Sequence, residues 1–192
     1  MRFTDARKAI HDSFALHLTT PDGIGGGTKY DSDAAIFRAT KAGLIIAAVL
    51  DQPKELRGCA MLLNAPDQAV QGNDIADFKT GLWCAWTERS SSGAKEHASI
   101  IAQLDKIIMG YRARCWDHTS KKFTVDSIFS ESNPKTRTLL TKRAKEITEV
   151  IAKMDSESLQ PVWAVIQDQK DKYHAATDRE AEGNILLDAG LS

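Results

Sequence analysis

The chain has 192 residues, of which 42% are hydrophobic and 27% are charged, as is normal for a globular protein with a buried core. Its net charge of −1 argues against a protein that attracts nucleic acid through an overall positive charge. The longest apolar stretch, at 42–50, is far too short to span a bilayer, so no membrane role is predicted.

Four helices are predicted in the first half of the chain, from apolar residues that recur every three or four positions. The expected ranges are 4–18, 32–50, 53–65 and 67–88, with a glycine-rich loop at 19–31. In the second helix, Gly43 and neighbouring alanines lie on an apolar stripe and would permit close approach of another helix. The polar break at 89–93 predicts a boundary between an N-terminal half, 1–88, and a C-terminal half, 94–192.

The second half is predicted to begin with a long helix at 94–116, followed by a broken segment with a short helix at 124–129. A strong helix is expected at 134–154, then another capped by Ser156, with Pro161 in its first turns. The tail from Thr177 onward is acidic. Sustained alternation with a period of two is absent, so the sequence predicts an all-α, multi-helix bundle.

Charge is segregated along the chain. Residues 110–145 hold nine Lys or Arg against three Asp or Glu, which gives +6, whereas residues 146–192 hold four against ten, which gives −6. One interpretation is an electrostatic footprint for an anionic partner. The other is a pair of solvated helix faces that neutralise one another in the fold.

The segment 123–147 reads as a short helix, a turn and a second helix that begins near Pro134, which is typical of a helix-turn-helix unit. Leu140, Ala144 and Ile147 are expected to face inward, whereas Thr141, Lys142 and Lys145 continue the outer side. Lysine and arginine can contact phosphates or guanine edges, and threonine can meet a phosphate or a thymine methyl group. The predicted DNA-binding residues are Lys121, Lys122, Lys135, Thr136, Arg137, Thr138, Thr141, Lys142 and Lys145.

Other chemistry finds little support in the sequence. The glycine loop lacks the Gly-Lys-Ser/Thr order of a phosphate-binding loop, and no nucleophile elbow or HExxH motif is present. Cys115 and His118 have a Cys-x-x-His spacing without a second close pair, so whether they join a metal site stays open. Three widely spaced cysteines predict a reducing, cytoplasmic setting rather than a disulfide framework. We therefore predict no cofactor, no metal and no enzymatic activity.

Trp83 and Trp86 lie three positions apart on the fourth predicted helix. Both residues fit the core, which is the favoured interpretation, but tryptophan is also a frequent anchor of protein interfaces. They are therefore the candidate protein-interface residues.

Residues 42–66, AGLIIAAVLDQPKELRGCAMLLNAP, resemble a segment of small phage and prophage proteins that act as late-gene transcription regulators of the antitermination type. The resemblance depends on Leu56-Arg57-Gly58 and Ala65-Pro66. It implies a DNA-binding half and contact with host RNA polymerase in the bacterial cytoplasm. The predicted function is thus a DNA-binding transcription regulator. The alternative is a protein–protein interaction module or inhibitor aimed at a host protein, and a small helical enzyme is the third class considered.

Overall fold

The computed structural model describes residues 2–19, 29–90, 94–116, 128–129, 132 and 134–189, without the side chains at 2–4, 29–35, 94–96 and 178–189. This part of the chain is built from α-helices and contains no strand, which confirms the predicted all-α bundle. None of its helices is long and apolar enough to cross a membrane. The elements are α1 (Arg2–Thr19), α2 (Lys29–Leu50), α3 (Lys54–Asn64), a 3-10 turn (Asp67–Ala69), α4 (Gly72–Thr87), α5 (Ala94–Ile101), α6 (Leu104–Trp116) and α7 (Pro134–Ala189).

The last helix, α7, is the largest departure from the predicted elements, because it runs unbroken for 56 residues through Pro161. The predicted helix start at Ser156 is therefore wrong. Proline in a helix removes one backbone hydrogen bond, but packing can compensate for that loss. Leu159 is fully buried beside this position, and Gln52 on the loop after α2 donates Nε2 to the carbonyl of Ser158 at 2.9 Å.

The predicted helix at 94–116 is divided into α5 and α6 at residues 102–103. Gln103 donates its backbone N–H to the carbonyl of Ile100 at 3.0 Å, which is the i→i+3 bond of a tightened turn. Ile100 on one side of this turn and Leu104 and Ile107 on the other side are all buried in the same cluster. The turn therefore keeps both helices against one core.

Among the described residues, buried apolar side chains form two clusters. The first joins α3 and α4 to α5, α6 and the first part of α7, and the second joins α1, α2 and α3 to residues 159–166 of α7. Both predicted halves, 1–88 and 94–192, contribute to each cluster, and their division stays a prediction. Helix α7 packs on both clusters. Its first turns are therefore held in a fixed position relative to the other helices.

Helices α3 and α4 approach closely at Gly58. A Cβ at this position would overlap the carbonyl oxygen of Asp74 and lie 3.0 Å from the backbone nitrogen of Phe78. The neighbouring Arg57 reaches the Asp74 carboxylate at 3.7 Å. Glycine is thus required here for the contact between two backbones.

Candidate nucleic-acid interface

The first turns of α7 are exposed. All six residues at 134–139 are exposed, and Leu140 is the first buried side chain of the helix. Leu140, Ala144 and Ile147 all belong to the first core cluster, which confirms the predicted inward face. The exposed turns therefore extend from a firmly packed segment of the same helix.

From the second of these turns onward, basic and hydroxyl side chains line a concavity of about 500 Å³, which we call the cationic groove. Its described lining residues are Arg137, Thr138, Thr141, Lys142 and Lys145. They share one face of α7, because residues three, four, seven or eight apart lie on the same side of a helix. Three cations and two hydroxyls thus meet in one depression, with no carboxylate among its described lining residues.

The three cations of the groove have no ion pair with a carboxylate among the residues that the structure describes. The nearby acids are directed elsewhere. Glu146 accepts from Nη1 of Arg143 at 3.0 Å, and Glu149 lines a separate concavity beside Arg89 and Trp86. The positive charge of Arg137, Lys142 and Lys145 is therefore not neutralised by ion pairing within the described chain.

Thr141 lies at the inner wall of the groove rather than on the outer side, so its predicted exposed position is wrong. Its side chain is buried (8% exposed) because position 141 borders the core positions Leu140 and Ala144. Within the described residues, its Oγ1 has no hydrogen-bond partner. In contrast, Thr138 and Thr148 donate to the carbonyl four residues earlier, at 3.0 and 2.8 Å.

The other predicted DNA-binding residues fall in two groups. Lys135 and Thr136 are exposed on the first turn of α7 and do not line the groove. Lys121 and Lys122 lie outside the described residues, as does most of the predicted short helix at 124–129. The helix-turn-helix unit therefore stays a prediction, and the structure supplies the position of its second helix.

The two candidate interface tryptophans belong to an aromatic cluster. Trp86 is 1% exposed and packs against Trp83 with ring centroids 5.0 Å apart, and His97 lies 5.3 Å from both rings. The assignment of Trp86 to a protein interface is wrong, because its side chain is buried in the first core cluster. Trp83 is half-buried at the edge of that cluster.

A second polar cluster lies in the interior, and the sequence analysis missed it. The Arg7 guanidinium pairs with the carboxylate of Asp155 and donates to Oδ1 of Asn64 at 2.9 Å, and the Tyr111 hydroxyl donates to Asp155 at 2.9 Å. One signal was available in the sequence. Asp155 lies four residues from both Ile151 and Leu159, so an acid occupies a core position of α7.

The chemistry of this interior cluster suits a role in holding the helices together. Burial raises the pKa of the Cys115 thiol, and it raises that of the Cys59 thiol strongly, so both sulfurs stay protonated at neutral pH. A protonated thiol is a poor nucleophile. Within the described residues, no group of three His, Cys, Asp or Glu side chains is placed to hold a metal ion, and His118 lies outside them.

Another concavity, of about 490 Å³, opens between α1, α2 and the later part of α7. Its floor is apolar, with Ala9, Ala42 and Ile45, and its rim carries both signs of charge. The rim residues are Lys8, Arg38, Lys41, Lys170, Asp5 and Asp12. Because of these carboxylates, this groove is a poorer candidate for a polyanion than the cationic groove.

The chain matches no protein-family model, no curated protein and no solved structure. The resemblance of residues 42–66 to antitermination regulators stays a prediction. The residues that carry it pack inside the fold: Gly58 is at the contact of α3 with α4, Leu56 packs on the first cluster, and Arg57 pairs with Asp74.

Proposed function

We propose that this protein binds DNA through the cationic groove and the exposed first turns of α7, as a transcription regulator of the kind that the resemblance of residues 42–66 implies. One observation carries this proposal. Arg137, Lys142 and Lys145 line one groove without a carboxylate partner among the described residues, around the buried hydroxyl of Thr141.

The groove suits a phosphate backbone. A guanidinium can hold two phosphate oxygens at once, lysine adds a point charge, and a threonine hydroxyl can donate to a third oxygen. Residues 137–145 cover about 12 Å of helix axis at ~1.5 Å per residue, which is long enough to reach more than one phosphate of a strand. Contacts of this kind fix the position of a protein on DNA but do not read its sequence.

The exposed turns at 134–139 suit the base edges. An α-helix with its side chains is roughly as wide as the major groove, at about 10–12 Å, and all six residues of these turns are exposed. Lys135 and Thr136, beside the cationic groove, are the side chains that we expect to meet bases. The −6 charge of residues 146–192 would repel DNA from the remainder of α7, and so favours approach at its start.

A protein partner such as RNA polymerase would need a different surface. Residues 171–177 of α7 are all exposed, and the helix continues to Ala189. The sequence from Thr177 onward is acidic, and we propose this end of α7 as the contact for such a partner. Under the alternative function, the protein is an interaction module that does not bind DNA. This end of α7 would then be its contact surface.

Retention on immobilised random-sequence duplex DNA at low salt tests the proposal. We expect the native protein to be retained and the triple variant Arg137→Gln, Lys142→Gln, Lys145→Gln to pass through. Lys106→Gln is the matched control, because Lys106 is exposed on α6 outside the groove. Equal retention of the native protein and the triple variant, or passage of both, would refute DNA binding by this groove.

A further inference from the structure

The concavity between α1, α2 and the later part of α7 has the size and the lining of a small-molecule site, and we call it the α1–α2 groove. Its volume of about 490 Å³ lies within the range of ~300–1,000 Å³ that is usual for ligand pockets. All three helices supply its apolar lining, which consists of Ala9, Leu16, Ala42, Ile45 and Ile166. Ligand pockets are mostly apolar in this way, with a few polar groups that orient the bound molecule. The α1–α2 groove can thus cover the apolar part of a small molecule.

The rim of the α1–α2 groove carries more positive than negative charge. Its described residues are four cations against two carboxylates, which gives +2: Lys8, Arg38, Lys41 and Lys170, with Asp5 and Asp12. Both carboxylates belong to α1, whereas α2 and α7 contribute only cations to the rim. Among the residues that the structure describes, Lys41 on α2 has no ion pair with a carboxylate. The α2 and α7 walls of the groove therefore favour an anionic group.

A hydroxyl also lines the α1–α2 groove. Ser13 is only 7% exposed, and it forms no hydrogen bond with another described residue. Thr19, at the end of the same helix, differs in this respect, because its hydroxyl donates to the carbonyl of Ala15 at 3.0 Å. Polar groups that are this deeply buried usually have a hydrogen-bond partner. A molecule in the groove can supply the partner that Ser13 lacks.

We propose that the α1–α2 groove binds a small amphiphilic carboxylate of the medium-chain fatty acid type. The alkyl chain lies on the apolar lining, the carboxylate lies among the cations of α2 and α7, and Ser13 donates to one of its oxygens. Nucleic acid fits this groove less well, because it would meet the carboxylates of Asp5 and Asp12 and has no alkyl chain for the lining. A cationic amphiphile would be repelled by the net charge of the rim. This inference does not depend on the proposed DNA binding.

Isothermal titration calorimetry with hexanoate, octanoate and decanoate tests the proposal at neutral pH, below the concentrations at which these acids form micelles. We expect the affinity to rise by up to about fourfold for each methylene group that the groove removes from water. Octyltrimethylammonium has the same alkyl chain as its carboxylate counterpart but the opposite charge, and it should bind at least tenfold more weakly than octanoate. Absence of binding by all three acids, or equal affinity for the two octyl compounds, would overturn the proposal.

Two exposed residues of the groove each have a matched control. Leu16→Gln removes part of the apolar lining and Lys41→Gln removes one cation, and each should weaken decanoate binding about tenfold. Leu18→Gln makes the same change on the same helix outside the groove, at a residue that is 44% exposed, compared with 37% for Leu16. Lys54→Gln removes an exposed cation on α3. Both controls should bind decanoate like the native protein, and native affinity in Leu16→Gln and Lys41→Gln would contradict binding in this groove.

The hydroxyl of Ser13 is tested by Ser13→Ala. We expect decanoate affinity to fall about tenfold, as for loss of one hydrogen bond to a charged group. The free energy of unfolding should not fall, because no hydrogen bond within the described chain is lost. Native decanoate affinity in Ser13→Ala would overturn the contact of Ser13 with the carboxylate. Binding of the protein to phosphatidylglycerol vesicles without binding of decanoate would assign this surface to a membrane and overturn the proposal.

Discussion

Arg7 on α1 and Asp155 on α7 form an ion pair inside the protein, although 148 residues separate them along the chain. Asp155 is 1% exposed, and besides two guanidinium nitrogens it accepts the Tyr111 hydroxyl. Asn64 on α3 accepts from the same guanidinium. Four helices are thus joined at one buried carboxylate, close to where α7 passes from the first core cluster to the second.

Loss of the Asp155 charge should destabilise the fold strongly. Asp155→Asn leaves the Arg7 guanidinium buried without its counter-charge, and we expect the free energy of unfolding to fall by about 3–5 kcal/mol. Urea unfolding followed by circular dichroism at neutral pH measures this loss.

Glu157→Gln is the control for this prediction. It removes the exposed ion pair of Glu157 with Lys153, 3.7 Å apart on the same helix, and should cost less than about 0.5 kcal/mol. Similar small losses in both variants would show that the buried pair does not hold the helices together.

Alkaline pH should weaken the protein through Tyr111. Burial and the Asp155 charge raise the pKa of the Tyr111 phenol above its ordinary value of about 10. Above that pH the unfolded chain releases the phenol proton while the folded chain keeps it, so stability falls as pH rises. Below it both states hold the proton, and this contribution is fully present.

Urea unfolding at about pH 8 and about pH 11, on either side of the ordinary phenol pKa, measures this effect. We expect the free energy of unfolding of the native protein to be lower at the higher pH, and the difference to be smaller in Tyr111→Phe. An equal pH dependence in the two proteins would contradict the assignment to Tyr111.

Replacement of Gly58 and of Gly43 by alanine should change the free energy of unfolding in opposite directions. Gly58→Ala places a Cβ against the backbone of α4, and we expect it to lower the free energy of unfolding by about 1–3 kcal/mol. Gly43→Ala meets open space in the middle of a helix and should raise it by up to about 1 kcal/mol. Thermal melting at low protein concentration measures both, and a stabilising Gly58→Ala would contradict the close packing of α3 on α4.

Much of the fold follows from local sequence pattern. Apolar residues with a helical period predicted the helices and the inward face of Leu140, Ala144 and Ile147, because burial of a helix face depends on spacing within that helix. The same spacing located the basic face of α7. In these regions local pattern and packing favour the same structure.

The remaining features depend on contacts between distant residues. Ser156 predicted a new helix start, but α7 continues through Pro161, next to the buried Leu159 and the bond from Gln52 to the carbonyl of Ser158. Trp86 was ambiguous because its period fits a core as well as an interface. The link of Arg7 to Asp155 joins separate helices, so local spacing could place Asp155 in the core but could not indicate its partner.

The hydroxyl of Thr141 should matter for binding and not for folding. Because Oγ1 has no hydrogen-bond partner among the described residues, we expect Thr141→Val to leave the free energy of unfolding unchanged or to raise it slightly. If the hydroxyl donates to a phosphate, DNA affinity should fall about tenfold, as for loss of one bond to a charged group. Fluorescence anisotropy with a labelled duplex measures the affinity.

Two matched variants complete the test of Thr141. Thr141→Ser keeps a hydroxyl and should retain DNA affinity, and Thr148→Val alters a hydroxyl that donates within α7 and should not affect affinity. An unchanged DNA affinity in Thr141→Val would show that Thr141 does not contact DNA.

The salt dependence of DNA binding tests the central claim most directly. For three phosphate contacts, a plot of log binding constant against log salt concentration should have a slope of about −2.7, at ~−0.9 per phosphate. Each of Arg137→Gln, Lys142→Gln and Lys145→Gln should make the slope shallower by about 0.9, and Lys106→Gln should not change it. Slopes that stay at the native value in all three groove variants would contradict the account.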